Sequence, residues 1–433
     1  MSRLPAALRV YRLLAAAAGP LVPLVLARRV KRGKEDAARL AERRGLARLA
    51  RPKRPLVWLH GASVGELAAV VPLIERIAKR GIGVLVTSGT VTSSELADQR
   101  LPRGVIHQFV PLDVPRFVRR FLDHWRPDLA LFVEAELWPN MIIETSARGV
   151  PMLLVNGRLS ENSFRRWTYL RGSIVDLLGR FDLCLAGTQA DAERLSALGA
   201  PRVVAAGNLK LDVPAPPADP DKLTALRDAV AGRPLVAAAS THAGEESVVI
   251  DAHLRLRAQF PGLLTLIAPR HPERGPGVAE LAAAAGLQAA LRSRGALPDA
   301  ATEIYVADTL GELGLIYRLA PVVFIGGSLV RRGGQNPIEP AKLGAAILHG
   351  PHVGNFVEIY AALDKARAAQ PVNEAGQLAA TLAAWLRDPA GRERAANAAR
   401  ATVEKLSGAL ERTLAALEPY LMQLQVPGRA DHA

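Results

Sequence analysis

A single cysteine, Cys184, occurs in 433 residues. That excludes a disulfide framework and suits a reducing compartment. Cys184 lies within the apolar run Phe181 to Ala186 and reads as a buried structural thiol. The chain contains no G-x-G-x-x-G and no G-x-x-x-x-G-K-[ST], so dinucleotide-enzyme and P-loop chemistry have no local support. No Cys/His set has metal-ligand spacing, and the acidic D-x-D, Asp219-Pro220-Asp221, sits in a proline-rich stretch. No metal and no cofactor is expected. Aromatics make up only 5% and charged residues 22%, a soluble α/β composition in all but the N-terminus. The length suits two domains, each able to bury its own core.

Beyond residue 54 the chain also has little net charge. Residues 1–54 hold 15 Lys and Arg against three acids (Glu35, Asp36 and Glu42), which accounts for +12 of the total +14. A near-neutral body with a basic leader is not a nucleic-acid binder of the usual kind, and no nucleic-acid partner is expected. Within the leader, Leu13 to Ala27 is uncharged and mostly apolar, followed at once by Arg28, Arg29, Lys31, Arg32 and Lys34. It is shorter than the roughly 20 residues of a spanning helix, and Pro20 and Pro23 interrupt it. A secretory signal carries its charges before the apolar run, so export is disfavoured. The basic flank stays cytoplasmic by the positive-inside rule. A shallow anchor on an anionic phospholipid surface fits best, with a single span or a helix packed on the body as alternatives.

What the chain does have is a repeat. Leu56 to Thr90 and Leu235 to Pro269 read alike without a gap: apolar strand, small-residue loop ending in Gly-Glu, amphipathic helix, second apolar strand. Gly65-Glu66 falls on Gly244-Glu245. This is a βαβ unit occurring twice, and such domains bind ligand at the carboxyl ends of their strands. The pattern predicts strands at Leu56–His60, Gly83–Ser88, Ile106–Pro111, Asp128–Glu134, Met152–Asn156, Leu183–Gly187 and Val203–Ala206. A second set is predicted at Leu235–Ser240, Leu263–Ala268, Glu303–Ala307, Val322–Ile325 and Ala346–His349. Helices alternate with them, so the fold class is α/β: two Rossmann-like domains with parallel sheets, facing an interdomain cleft. The expected divisions are a leader over 1–54, a first domain over 55–210, a linker over 211–232, a second domain over 233–400, and a helix over 401–433 crossing back to the first domain. The segment Arg392 to Leu424 reads as helical throughout.

Candidate chemistry gathers at the predicted strand ends. His60-Gly61-Ala62-Ser63-Val64-Gly65-Glu66 joins a strand to a helix. Its small residues admit a ligand, with Ser63 and Gly65 beside free helix N–H groups. Glu66 is either a helix-start carboxylate or a general base. Glu134 and Glu136 follow a strand, as a solvated end or as groups that position an acceptor hydroxyl. Asn156 and Arg158 belong to a polar loop, capping or binding an anion. Lys210 is either solvated or a contact to an anionic donor. In the second half, Thr241, Arg270, His271, Gly327 and Ser328 follow strands, and Asn336-Pro337-Ile338-Glu339 reads as a capping box or as a phosphate and ribose site.

The pieces WLHGASVGE, VEAELWPN, NGRLSENS, GNLKLD, APRHPER and GGQNPIEPA, in this order, resemble the 3-deoxy-D-manno-octulosonic acid (Kdo) transferases from about Leu13 to the C-terminal helix. The resemblance implies a GT-B glycosyltransferase at the cytoplasmic face of the bacterial inner membrane. It implies a CMP-Kdo donor, a lipid A precursor (lipid IVA) as acceptor, and inversion without a bound metal in lipopolysaccharide core biosynthesis. Glu66 matches the family's general base, and Glu134 and Glu136 its acidic acceptor-side motif. Lys210, Arg270, His271, Gly327, Asn336 and Glu339 fall in its donor-side motifs. Two alternatives stand beside it: another GT-B enzyme using a UDP-sugar (transferase or epimerase), and a non-catalytic membrane-bound nucleotide-binding protein.

Overall fold

The computed structural model describes residues 4–230 and 232–426. The ends of the expected leader (1–3) and C-terminal helix (427–433), and residue 231 of the expected linker, lie outside the described residues. Near-continuous apolar runs bounded by small residues form strands buried on both faces, as parallel sheets require. The first sheet comprises β1 (Leu56–His60), β2 (Gly83–Ser88), β3 (Ile106–Phe109), β4 (Leu129–Val133), β5 (Met152–Gly157), β6 (Leu183–Ala186) and β7 (Val203–Ala205). All pairings are parallel, in the order β3-β2-β1-β4-β5-β6-β7. The second sheet comprises β8 (Leu235–Thr241), β9 (Leu264–Pro269), β10 (Ala289–Leu291), β11 (Ile304–Val306), β12 (Val322–Ile325), β13 (Ala346–His349) and β14 (Ala369–Pro371). Its order is β10-β11-β9-β8-β12-β13-β14, again all parallel.

In each sheet the strand order reverses beside the first strand, between β1 and β4 and between β8 and β12. Ligands of doubly wound sheets bind at that switch point, outside the carboxyl ends. Alternate residues of one strand serve opposite cores. Trp58, Ala130, Phe132, Leu154 and Cys184 pack with Phe121, Trp125 and Ile142 on one face. Val57, Leu59, Leu131, Val155 and Leu185 pack with Leu67, Val70 and Leu73 on the other. Burial pushes the Cys184 thiol up to about 12, as a structural cysteine requires.

The chain divides into two compact units, one running through Val213 and resuming at Ser407, the other covering Pro214–Leu406. The segment expected as linker contains a helix, Pro220–Val230, which belongs to the second unit. The C-terminal helical segment is broken rather than continuous: Pro389–Leu406 ends, Gly408 turns at φ 92, and Ala409–Gln425 begins. The carboxylate of Asp212 accepts the N–H groups of Gly408 and Leu410, each at 2.6 Å, and so caps the second piece. Leu414, Leu417 and Leu421 of that piece join the core of the first unit.

The leader is helical over Ala6–Ala18, a 3-10 turn over Gly19–Leu21, and helical again over Val22–Lys31. Pro20 falls in the 3-10 turn that separates the two α-helices and Pro23 in the first turn of the second, where an N–H is dispensable, so the helical path continues through both. Ala6–Lys31 is long and apolar enough to cross a membrane, with a window of mean hydropathy 1.7. One side docks on the first unit: Leu8, Val22 and Leu26 are buried, the Tyr11 hydroxyl donates to Asp113 (2.9 Å), and Arg12 pairs with Glu144 (2.7 Å). The other side exposes Leu13, Leu14, Leu21 and Leu24.

Candidate active site

In the first unit, β1 ends at His60, and Ser63 caps the helix Val64–Ala78. The Ser63 hydroxyl accepts the Glu66 N–H (3.3 Å) and donates to Glu66 Oε1 (2.8 Å), while the Ala62 N–H donates to Oε2 (2.7 Å). Two short bonds, one to each oxygen, thus fix the carboxylate at the helix N-terminus without sealing it off, since Glu66 stays partly exposed. Burial raises its pKa above the ordinary range. The bonds from Ser63 and Ala62 oppose this, and the negative charges of Glu136 and Glu134 add to it. Gly65 is exposed, and a Cβ there would meet nothing within 4 Å.

Glu134 and Glu136 follow β4, the strand beside β1. Glu136 Oε2 lies 3.4 Å from His60 Nε2, an ion-pair distance rather than a tight hydrogen bond, and it also accepts the Trp138 indole N–H. Burial works to raise the Glu136 pKa, but His60 and Trp138 outweigh it and hold the carboxyl below its ordinary range. Glu134 has φ 57 and Asn156, at the end of β5, has φ 54, both in the left-handed region that L-residues rarely occupy. The Lys210 ammonium lies 2.6 Å from Glu134 Oε1, and the Asn156 amide donates to the same oxygen at 3.4 Å. Asn156 Oδ1 in turn accepts the Leu209 N–H (3.0 Å), which fixes the turn carrying Lys210. Lys210, expected on the donor side, is therefore held in the acidic group of the first unit. The stem of Arg158 lies beside Asn156, both facing the position a Cβ on Gly187 would take.

At the switch point of the second sheet the corresponding carboxylate behaves differently. Glu245 is fully buried and accepts four backbone N–H groups: His242 (2.9 Å), Gly327 (2.7 Å), Ser328 (3.0 Å) and Leu329 (2.9 Å). It pins the loop after β12 to the start of the helix Glu245–Leu256. The N–H groups of Gly327 and Ser328, expected to contact the donor, are spent on this pin. Ser328 is buried, with its hydroxyl donating to Ile325 and accepting from Gly350 N–H (2.7 Å), so it supports the loop from beneath. Thr241 is also buried, with its hydroxyl donating to Glu246 (3.2 Å).

Above this floor stands a cationic group. Arg270, His271 and Arg332 are exposed, and the His242 and His271 rings lie 5.9 Å apart, edge to face. Burial, opposed by Glu245 and reinforced by His271, Arg332 and Arg270, keeps the His242 imidazole below its ordinary range. Among the described residues no carboxylate pairs with Arg270 or Arg332. Gln335 lies 3.2 Å from His242. Asn336 accepts the Ile338 N–H (2.9 Å) and donates to the Glu339 side chain (3.2 Å), but the helix Ile338–Lys342 opens after Pro337 with no side-chain cap, so Pro337 is not the first helical residue that the expected capping box required. The sequence singled out Arg270 and His271 but passed over His242, Arg332 and Gln335, although His242 directly follows β8. In the first unit it passed over His60.

Comparison with known proteins gives the chain's relatives. A family model described as 3-deoxy-D-manno-octulosonic-acid transferase (kdotransferase) matches residues 38–213. The chain is 35% identical over 390 residues to the 3-deoxy-D-manno-octulosonic acid transferase of Haemophilus influenzae, covering 88% of this chain and 91% of that one. It is 37% identical over 424 residues to that of Bordetella pertussis, covering 95% and 99%. Among solved structures, a glycosyltransferase from Rickettsia africae aligns with TM-score 0.60 at 14% identity, over 87% of this chain and all of that one. A UDP-GlcNAc 2-epimerase from Neisseria meningitidis aligns with TM-score 0.58 at 14% identity, over 85% of this chain and all of that one. At such identity these two likenesses show the fold alone, which is GT-B.

Proposed function

The chain belongs to the family of 3-deoxy-D-manno-octulosonic acid transferases, which are glycosyltransferases, and from that premise we propose that it transfers Kdo from CMP-Kdo to a lipid A precursor in lipopolysaccharide core biosynthesis. The reaction inverts the anomeric carbon and uses no bound metal. Glu66 takes the proton from the acceptor hydroxyl as its oxygen attacks that carbon from the face opposite CMP. The bond to the CMP phosphate oxygen breaks, and its electron pair leaves with the phosphate. Glu134 and Glu136, with Asn156 and Arg158, form the acceptor side. Arg270, His271, His242 and Arg332 take up the charge developing on the departing phosphate, and Asn336 and Glu339 hold the ribose side. The apolar, basic leader keeps the enzyme on anionic phospholipid at the cytoplasmic face of the inner membrane, where a lipid acceptor is found.

The observation that carries this reading is the Glu66 carboxylate: fixed by two bonds, partly exposed, and raised in pKa by burial and two neighbouring acids. A general base works best with a pKa lifted toward the working pH. The test is incubation of the purified chain with CMP-Kdo and a tetraacylated lipid A precursor, read by mass, with CMP and UDP as competitors. A lipid heavier by Kdo, with CMP inhibiting and UDP not, is expected. Preferential competition by UDP would move the enzyme to UDP-sugars, and tight nucleotide binding without product would favour a non-catalytic role.

A further inference from the structure

His60 ends β1, is fully buried, and has no part in the chemistry above. Its surroundings favour one tautomer. The indole of Trp58 can only donate, and its Nε1 lies 2.9 Å from Thr87 Oγ1. That oxygen accepts from Trp58, and its own hydrogen can serve His60 Nδ1, 3.0 Å away; the Thr87 carbonyl oxygen, which only accepts, lies farther from Nδ1 at 3.3 Å. In the tautomer this favours, Nδ1 accepts and Nε2 carries the proton; Nε2 is buried, makes no hydrogen bond among the described residues, and faces Glu136 Oε2 at 3.4 Å. The other tautomer would set a nitrogen lone pair against a carboxylate oxygen.

We propose that His60 is a positioning residue for glycosyl transfer: protonated on Nε2, it ends a relay from Trp58 through Thr87 and draws one oxygen of Glu136 toward its N–H. Trp138 donates to the same oxygen. Among the described residues Glu136 Oε1 has no hydrogen bond, so it remains available to an acceptor hydroxyl. The tether is needed because Glu136 stands on an irregular corner between β4 and the helix Pro139–Ser146, where no ladder fixes a side chain. The relay links that corner to the core through three side chains that solvent does not reach: Trp58, Thr87 and His60. The kinetic part of this inference rests on the proposed Kdo transfer. The tautomer does not.

Two measurements on the full chain separate them. In nitrogen-15 histidine spectra, with the His60 signals assigned by their loss in His60→Gln, the Nε2–H tautomer is expected, and Thr87→Val should disturb it. A His60 found protonated on Nδ1 alone, or indifferent to Thr87→Val, overturns the relay whether or not the protein transfers Kdo. In the transfer assay His60→Leu should lower kcat about 3- to 10-fold, the worth of one weak hydrogen bond, with the KM for CMP-Kdo little changed. His60→Gln, whose amide keeps a donor, should recover most of that loss. In a Glu136→Gln background His60→Leu should add less than about twofold, because coupled residues are not additive. An equal loss in both backgrounds would show that His60 does not act through Glu136.

Discussion

Glu66 and Glu245 occupy the same place in the two halves of the repeat, and the protein uses them in opposite ways. Each follows a glycine, opens a helix and stands at the switch point of its sheet. Glu66 bonds only within its own turn, through Ser63 and Ala62, and keeps contact with solvent. Glu245 is fully enclosed and gathers backbone N–H groups from residues more than 80 positions away. The cause lies in the loops after β4 and β12. After β12, Gly326 and Gly327 let the chain come close: a Cβ on Gly326 would sit 2.5 Å from the Ser240 carbonyl oxygen. After β4 the chain instead presents Glu134 and Glu136, which repel a third carboxylate and leave it open. An apparent duplication thus gives one carboxylate left partly exposed and one that pins the loop beneath Arg270, His271 and Arg332.

The widest separation between the two is expected from removing each charge. Glu66→Gln should lower transfer about 100- to 10,000-fold, the usual worth of a general base, with CMP binding and melting temperature nearly unchanged. Glu245→Gln should do the reverse. An amide cannot accept four N–H bonds, and the mismatch should cost about 2–4 kcal/mol of stability, seen as a lowered melting temperature and weakened CMP binding. If both variants lost activity with equal loss of stability, the distinction would collapse.

The preceding glycines sharpen the comparison at smaller scale. Gly244 has φ 95, so Gly244→Ala should destabilise by about 1–2 kcal/mol. Gly65 has open space where a Cβ would go, so Gly65→Ala should leave stability within about 1 kcal/mol and on the favourable side. Thermal melts of the pair decide this, and lost transfer in a fully stable Gly65→Ala would mark that surface as occupied by substrate. The smallest effect should be a pH shift that accompanies the loss of activity in Glu136→Gln. Removing that charge lowers the Glu66 pKa, so the acid limb of residual kcat/KM moves to lower pH.

Most of the first unit was legible in the sequence because its strands are continuous apolar runs between small residues. In the second unit β10 and β14 went unread: each is a three-residue edge strand, Ala-Ala-Leu and Ala-Gln-Pro, with no periodicity to detect. The break at Gly408 was missed because the capping carboxylate, Asp212, lies nearly 200 residues earlier. For the site, local motifs located Glu66, Glu134, Glu136, Arg270 and His271, but not their partners. That Lys210 bonds Glu134, or that Glu245 spends the N–H groups of Gly327 and Ser328, follows from chain crossings that no local pattern encodes.

The most direct test of the account is the pH dependence of single-turnover transfer in the wild type and in Glu66→Gln. The account predicts a wild-type rate that falls as pH drops through a carboxyl pKa above the ordinary 4.5 of glutamate, and a slow residual rate in the variant without that limb. The same limb at the same pH in Glu66→Gln would contradict it and assign the titrating base to another residue.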